Sequence, residues 1–247
     1  MRKLLKATLK IAGLLTLGGA VVGYKDHLDN KRDGRKPRTI YEDGIKRGLD
    51  WMCGMAAIIV FWPLYLIVAI LVKIKLGSPV IYKTTRAGRI NPKTGEEELF
   101  GLTKFRSMTN DVDENGNLLP DVDRLTRFGR LLRSTSLDEL PEAFNIIKGD
   151  MSVIGPRPLP PSYLPYYTKE EQHRHDVRPG LSGWAQVNGR NSVKWDEKFK
   201  LDLEYVDKIS FVEDAKIVFM SVTKALKRDD IGQGEERPGN LYDIRGN

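Results

Sequence analysis

Cysteine and histidine are scarce in this 247-residue chain, and their scarcity excludes two kinds of site. The single cysteine, Cys53, rules out an internal disulfide, and its apolar surroundings predict a small packed side chain. The three histidines, His27, His173 and His175, are too few and too badly spaced for a zinc site. Cationic residues are in excess instead, with a formal net charge of +7 and a pI near 9.3. This balance predicts an anionic partner, for which nucleic acid, anionic lipid and phosphorylated substrates all qualify.

We interpret the first 40 residues as an N-terminal extension. Four basic residues precede an apolar stretch from Ile11 to Gly23. A signal peptide is one reading, but no clear small-x-small cleavage site follows. At about 13 residues the stretch is short for a membrane-spanning helix, so we expect an amphipathic or shallowly inserted helix. Residues 24–39 are charged, contain glycine and proline, and are predicted to be a linker.

A second apolar run, Trp51 to Val72, carries no charge over about 22 residues, which suffices for a membrane helix. Its centre holds Pro63, which removes a backbone donor and favours a kink. Basic residues flank it on both sides, at Lys46 and Arg47 before the run and at Lys73 and Lys75 after it. Such flanks favour a cytoplasmic position for both ends, and therefore a re-entrant helix. A span with a proline kink remains the alternative from flank charge alone, and a buried soluble-core helix fits less well.

The segment after the apolar run predicts a small β-hairpin. Val80 to Lys83 is β-like, residues 91–95 form a turn, and Leu99 to Phe105 returns as the second strand. The acidic residues 109–122 are predicted to form a surface loop. Asp123 to Arg133 is predicted to be helical, with Arg124, Arg127, Arg130 and Arg133 covering a broad face. One interpretation is that this face is exposed to solvent. The alternative is that it lies on anionic lipid headgroups, with the side chain of Arg133 turned into the active site.

Two neighbouring carboxylates, Asp138 and Glu139, open the next predicted helix. Ser136 with Glu139 fits a capping box, and Gly149 stands where a C-cap glycine belongs. A capped structural helix explains this pattern by itself. The same helix start would place Asp138 where free N–H groups favour an anion, so a phosphate site is compatible with it.

Arginine recurs beyond this helix in two further contexts. Arg157 is held between two prolines, which would reduce the entropy lost when it grips a phosphate, although a plain turn explains the motif equally well. Residues 178–191 form a glycine-rich loop without the spacing of a Walker or dinucleotide motif. Tyr163 to His175 is a candidate interfacial helix, with core packing as the alternative. Asp202 to Leu226 is predicted to be helical, and residues 232–247 to be a flexible tail.

Together these pieces resemble the bacterial sugar transferases, which are monotopic polyprenyl-phosphate phosphoglycosyl transferases. The resemblance covers about three quarters of the chain. It rests on Lys46-Arg47-Gly48-Leu49-Asp50, Lys104-Phe105-Arg106-Ser107-Met108, Asp123-Arg124-Leu125-Thr126-Arg127-Phe128-Gly129, Ser136-Leu137-Asp138-Glu139-Leu140-Pro141, the run from Lys148 to Pro158, and the run from Arg178 to Asn191. It departs at Trp62, where many relatives have a small polar residue before the proline.

The resemblance implies that a UDP-sugar gives its phosphosugar to polyprenyl (undecaprenyl) phosphate and releases UMP, as the first membrane step of a surface glycan pathway. Asp138 would form an acyl-phosphate intermediate and ligate Mg²⁺. Glu139 would act as general base or orient the acceptor. The substrate phosphates would be held by Arg133 and Arg157, with Lys104, Arg106 and Arg190 as further candidates.

The predicted fold class is α+β and mostly helical, with a re-entrant membrane helix, a small β-hairpin and interfacial amphipathic helices. We divide the chain into an N-terminal extension (1–40), a re-entrant helix (41–76), a cytosolic catalytic domain (77–231) and a tail (232–247). The expected location is the cytoplasmic face of the bacterial inner membrane, and a homodimer is compatible with the sequence. A non-catalytic scaffold on anionic lipid is the rival hypothesis. Nucleic-acid binding lacks a known module and leaves residues 51–72 unexplained.

Overall fold

The computed structural model describes residues 2–189, 194–227 and 239–246. The helices are α1 (Arg2–Arg32), α2 (Lys46–Leu76), α3 (Asp121–Arg124), α4 (Arg127–Ser134), α5 (Glu142–Lys148), α6 (Trp184–Asn188), α7 (Trp195–Asp207), α8 (Phe211–Lys227) and α9 (Leu241–Arg245). The strands are β1 (Ile81–Ile90), β2 (Glu97–Phe105), β3 (Ser152–Ile154) and β4 (Gly180–Ser182). A π-helical turn covers Tyr41–Ile45, and 3₁₀ turns cover Leu137–Glu139, Pro161–Tyr166 and Glu171–His175. The predicted mostly helical α+β class is confirmed.

Helix α1 is longer than the sequence pattern suggests, because residues 24–32 continue the helix and do not form a linker. The charged residues of this part have partners on other elements. Asp26 forms an ion pair with Arg178, and His27 Nδ1 lies 2.7 Å from Asp43 Oδ2. These contacts stabilise helix where composition alone predicts a break.

Helices α1 and α2 pack closely through small residues that face each other. A Cβ on Gly23 would lie 2.6 Å from the carbonyl oxygen of Gly44, and a Cβ on Gly48 would lie 2.5 Å from that of Gly19. Larger residues would therefore force the two backbones apart, as in membrane helix pairs built on small residues four apart. The two segments Ala7–Arg32 and Tyr41–Leu76 are long and apolar enough to cross a membrane by length and composition.

Both ends of α2 pack on the same globular part of the protein. Near its start, Arg47 donates from Nη1 to the carbonyl oxygen of Ile146 over 2.7 Å. Near its end, Val68 and Val72 are buried against Phe105 and neighbouring side chains. Between them, the consecutive residues 59–62 are all exposed. Helix α2 is thus one continuous helix through Pro63 whose two ends contact the globular domain and whose centre is exposed.

The β1–β2 hairpin is confirmed as an antiparallel pair that extends from Ile81 opposite Phe105 to Ala87 opposite Leu99. Because residues directly opposite each other share a face, Lys104 and Leu102 on β2 share theirs with Tyr82 and Thr84 on β1. Leu102 is buried against Ile146 and Met151, so this face of the hairpin looks into the domain.

Two predicted helices are interrupted. The span 123–133 breaks before α4, where the Thr126 hydroxyl accepts a hydrogen bond from Gly129 N over 3.0 Å and caps a new helix. The span 202–226 breaks between α7 and α8, where Ile209 is buried in the core. Burying this side chain in the connection stabilises a bend that the periodicity does not show.

The ends of the domain show two further differences. Residues 163–175 form two 3₁₀ turns and no continuous amphipathic helix, since Pro165 interrupts the pattern. The prediction of a flexible tail from 232 is wrong for 239–246, where Leu241 is fully buried and Arg245 forms an ion pair with Glu171. Helix α8 exposes an apolar stripe that includes Phe211 and Phe219, as an interfacial helix would.

Candidate active site

The two neighbouring carboxylates lie on a tight 3₁₀ turn, Leu137–Glu139, and not at the start of a capped α-helix. Ser136 has φ 54° and makes no side-chain cap, so the predicted capping box is wrong. The left-handed backbone at Ser136 turns the chain before Asp138, and α5 begins only after Pro141. Such conformations in non-glycine residues are uncommon and occur often at functional sites. The C-cap at Gly149, with φ 98°, is as predicted.

Asp138 is buried, with 7% of its surface exposed. Burial and the adjacent Glu139 raise its pKa to about 6, although Lys104 and Arg133 act in the opposite direction. Within the described residues its carboxylate has no hydrogen-bond partner except its own backbone N–H. The oxygens of Asp138 are therefore open to a ligand, while two nearby cations favour its charged form.

Glu139 differs from its neighbour because two cations hold it directly. Lys104 Nζ lies 2.7 Å and Arg157 Nη2 lies 3.0 Å from the same oxygen, Oε1. Burial alone would raise the pKa of Glu139, but Arg157 and Lys104 together lower it below its ordinary value. Glu139 is consequently ionised at neutral pH and arranges the two cations.

Glu142 is a third carboxylate that the sequence analysis missed. Its side chain is buried, and its Oε1 lies 3.1 Å from Lys104 Nζ. Burial raises the pKa of Glu142, and Glu139 raises it further. Its spacing of three residues from Glu139 could have indicated this position, since side chains at that spacing meet on one side of a helical turn. Lys104 is thus shared by two acids.

Two of the predicted arginines lie at the carboxylate turn. Arg133, on α4, donates from Nε to Ser107 Oγ over 2.9 Å, and its charge acts on Asp138. Arg157 follows β3 and is half exposed, and its backbone oxygen accepts a 2.8 Å hydrogen bond from Arg174. Its guanidinium therefore remains accessible while its backbone is fixed.

The other two predicted arginines are not placed at the turn. Arg106 is buried and donates from Nη1 to the carbonyl oxygen of Ser78 over 2.8 Å and from Nη2 to that of Leu76. It therefore binds the end of α2 and the connection to β1. Arg190 lies outside the described residues.

No group of three or more histidine, cysteine or acidic side chains that could hold a metal is found within the described ranges. Glu139 on the turn and Glu142 on α5 both contact Lys104, whereas Asp138 contacts no cation of the described residues within hydrogen-bonding distance. One carboxylate plus phosphate oxygens is a common way for proteins to bind Mg²⁺, so Asp138 fits as a ligand only when a phosphorylated substrate supplies the rest.

The carboxylate turn lies directly on α2. The Tyr65 hydroxyl donates to the carbonyl oxygen of Leu140 over 2.5 Å. Leu137 and Leu140 pack on the cluster formed by Val68 and Val72. The site is therefore fixed where the apolar helix meets the globular domain.

The sequence profile of the bacterial sugar transferases matches residues 41–228. The chain is 51% identical over 162 residues to an uncharacterized sugar transferase, EpsL, of Bacillus subtilis, covering 66% of this chain and 77% of that protein. It is 38% identical over 210 residues to a UDP-N-acetylgalactosamine-undecaprenyl-phosphate N-acetylgalactosaminephosphotransferase of Aeromonas hydrophila, covering 81% of this chain and 48% of that protein. It is 35% identical over 224 residues to a UDP-glucose:undecaprenyl-phosphate glucose-1-phosphate transferase of Caulobacter vibrioides, covering 85% of this chain and 80% of that protein. The chain thus spans less than half of the Aeromonas relative.

Proposed function

The chain belongs to the bacterial sugar transferase family, and on this basis we propose that it transfers a phosphosugar from a UDP-sugar to polyprenyl phosphate. Relatives are named for such transfers to undecaprenyl phosphate. The observation that carries the proposal is the buried carboxylate of Asp138, which has no cation in hydrogen-bonding contact in the described part of the chain, while the charges of Lys104 and Arg133 act on it. This arrangement suits a nucleophile that must approach a diphosphate.

The reaction has two displacements at one phosphorus atom. In the first, a carboxylate oxygen of Asp138 bonds to the β-phosphorus, and the bond to the bridging oxygen breaks, so that UMP leaves with the electron pair. In the second, a phosphate oxygen of the acceptor attacks the same phosphorus and releases the carboxylate. The products are UMP and a polyprenyl-diphosphate sugar. With a pKa of about 6, Asp138 is mostly ionised at neutral pH and ready to attack.

Glu139 is assigned a positioning role within this scheme. Its lowered pKa makes it a weak base, and a general base works best when its pKa is near the working pH. The acceptor phosphate is already an anion, so its attack needs no proton abstraction. Glu139 therefore orients Lys104 and Arg157 toward the phosphates, and Arg133 stabilises charge beside Asp138.

Magnesium is the cofactor we propose from the family. When bound, it would neutralise charge on the diphosphate oxygens, with Asp138 as the protein ligand. Lys104, Arg133 and Arg157 supply the protein's own positive charge at the same place. Phosphoryl transfer depends mainly on such positioning and charge.

A lipid acceptor and a water-soluble donor require a site at the membrane surface. We propose that α2 enters the cytoplasmic leaflet of the bacterial inner membrane and returns, which would leave the carboxylate turn at headgroup height. Reporter cysteines near the start of the π-helical turn and near Lys75, in a Cys53→Ala background, test this topology. Labelling of both from the cytoplasm is expected, and labelling from opposite sides would refute the re-entrant geometry.

The direct test is incubation of the purified protein with undecaprenyl phosphate and a panel of UDP-sugars. We expect UMP and a lipid-linked phosphosugar with at least one donor, and the panel would identify the sugar. Binding to anionic liposomes without UMP release from any donor would instead support the scaffold hypothesis.

A further inference from the structure

Arg86 lies on β1, outside the carboxylate turn. It pairs with Phe100 across the hairpin and shares the inward face with Tyr82, which pairs with Lys104. The side chain is partly buried, and it has no hydrogen-bond or ion-pair partner among the residues that the structure describes. Its nitrogens are not among the buried side-chain atoms that lack a partner, so they reach the surface and can donate to a ligand there.

The charges around Arg86 do not compensate it. Burial lowers its pKa, and the neighbouring Arg157 lowers it further, while Glu142 acts in the opposite direction. Glu142 is already in contact with Lys104, and its own pKa is raised, which weakens its negative charge near neutral pH. Arg157 is paired with Glu139, whereas Arg86 has no ion pair among the described residues, so Arg86 is the arginine here that can take a further anion.

The cations form one group at the site. Arg133 and Lys104 act on Asp138, and Lys104 and Arg157 hold Glu139. Ala87 N donates to the carbonyl oxygen of Leu159 over 3.1 Å, so β1 at Arg86 runs beside the segment that carries Arg157. In an in-line displacement, the nucleophile and the leaving group lie on opposite sides of the phosphorus.

We propose that Arg86 and Arg157 together form the subsite for the leaving nucleotide phosphate, the α-phosphate of the UDP-sugar. The inference rests on the proposed function and deepens it. Guanidinium groups suit this task because their planar donors bind phosphate oxygens in pairs. Arg86 would bind the donor through a group that every UDP-sugar carries, and it would make no contact with the acceptor lipid.

The test compares Arg86→Gln and Arg86→Lys with the wild-type protein, using UMP release under steady-state conditions. We expect Arg86→Gln to raise the KM for the UDP-sugar about 10- to 100-fold, since a charged hydrogen bond to phosphate is lost, and Arg86→Lys to raise it less. The KM for undecaprenyl phosphate should stay the same. Product inhibition by UMP should weaken in parallel with the donor KM.

Lys83→Gln is the matched control, because Lys83 is an exposed cation on the same strand but on the opposite face. It should leave both KM values unchanged. Thermal melting of each variant separates loss of fold from loss of binding, and Arg86→Lys keeps the test valid if Arg86→Gln does not fold.

Three outcomes would overturn the inference. An altered acceptor KM with an unchanged donor KM would assign Arg86 to the polyprenyl phosphate. Unchanged values for both folded variants would remove Arg86 from the substrate site, as would an equal effect of Lys83→Gln. These results are distinct from failure of the proposed function, in which the wild-type protein itself would release no UMP.

Discussion

Two clusters in this protein are built from the same residue types but differ in how their charges are satisfied. At the carboxylate turn, Asp138 has no cation in hydrogen-bonding contact among the described residues. In the second cluster, Arg174 donates from Nε and Nη2 to Asp202 over 3.1 and 2.8 Å, and Nη2 also reaches the backbone oxygen of Arg157. Both side chains of this ion pair are almost fully buried. Only Oδ2 of Asp202 is paired, and its Oδ1 is buried without a hydrogen-bond partner among the described residues. The difference between the clusters is therefore the counter-ion: a carboxylate closed by a directly bonded arginine belongs to the scaffold, whereas a buried carboxylate without one, open to a ligand, marks the reactive position.

The two clusters are physically joined, because the closed one fixes the backbone of Arg157, whose guanidinium serves the open one. Variants of each cluster should therefore separate catalysis from stability.

Asp138→Asn should have the largest effect, a loss of about 10³-fold or more in UMP release, because the amide cannot act as the nucleophile. Steady-state UMP assays with a UDP-sugar and undecaprenyl phosphate measure it. Asp123→Asn, at an exposed position, is the control and should retain activity. Full activity of Asp138→Asn would remove this residue from the chemistry.

Asp202→Asn should lower the free energy of unfolding by about 3 kcal/mol or more, because Arg174 would be left buried without its counter-ion. Denaturation in detergent measures this, with Asp207→Asn as an exposed control on the same helix. If Asp202→Asn kept its stability but lost UMP release, Asp202 would belong to the reactive site, and the distinction between the two clusters would be wrong.

Asp138→Asn and Glu139→Gln should change stability in opposite directions. The pKa of Asp138 is raised on folding, so the folded protein binds that proton more tightly, and stability falls as pH rises from about 4 to about 6. At pH 7.5, Asp138→Asn should therefore raise the free energy of unfolding by about 1 to 3 kcal/mol, and the gain should vanish near pH 4.

Glu139 shows the reverse relation because its pKa is lowered on folding. Its ionised form therefore stabilises the folded protein at pH values above the ordinary pKa of a glutamate. Glu139→Gln should melt at a lower temperature at pH 7.5, and the loss should shrink as pH falls. Melting curves at the two pH values provide the measurement. Equal shifts of the same sign in both variants would contradict the assignment of different environments to the two acids.

The smallest effect is expected for Arg133→Gln. Arg133 and Lys104 both lower the pKa of Asp138, so removal of one cation should move the acid limb of the UMP-release pH profile upward by roughly half to one pH unit. Arg127→Gln, an exposed arginine on the same helix, is the control. An unchanged acid limb would mean that Arg133 acts on another group.

Local signals predicted much of the scaffold. The turn residues and β-rich runs identified the hairpin, Gly149 identified a helix end, and the uncharged run identified α2. Each of these depends on neighbours in the sequence, so a pattern can reveal it.

Contacts between distant residues decided the rest. Ser136 takes a left-handed backbone and not the predicted cap, and Arg106 binds the end of α2 and not the carboxylate turn. Glu142 gains its meaning only because the hairpin brings Lys104 to it, and Arg86 because β1 runs beside the segment that carries Arg157. No spacing rule in a single sequence shows which of many arginines will be paired and which will be left open.

The central claim is that Asp138 carries the phosphosugar during the reaction. Incubation with a reactive UDP-sugar in the absence of acceptor, followed by rapid quenching and peptide mass spectrometry, tests it most directly. We predict a mass increase equal to the phosphosugar on the peptide that contains Asp138, lost on addition of undecaprenyl phosphate. Release of UMP into product without any adduct, or an adduct on Glu139 or Glu142, would contradict the account.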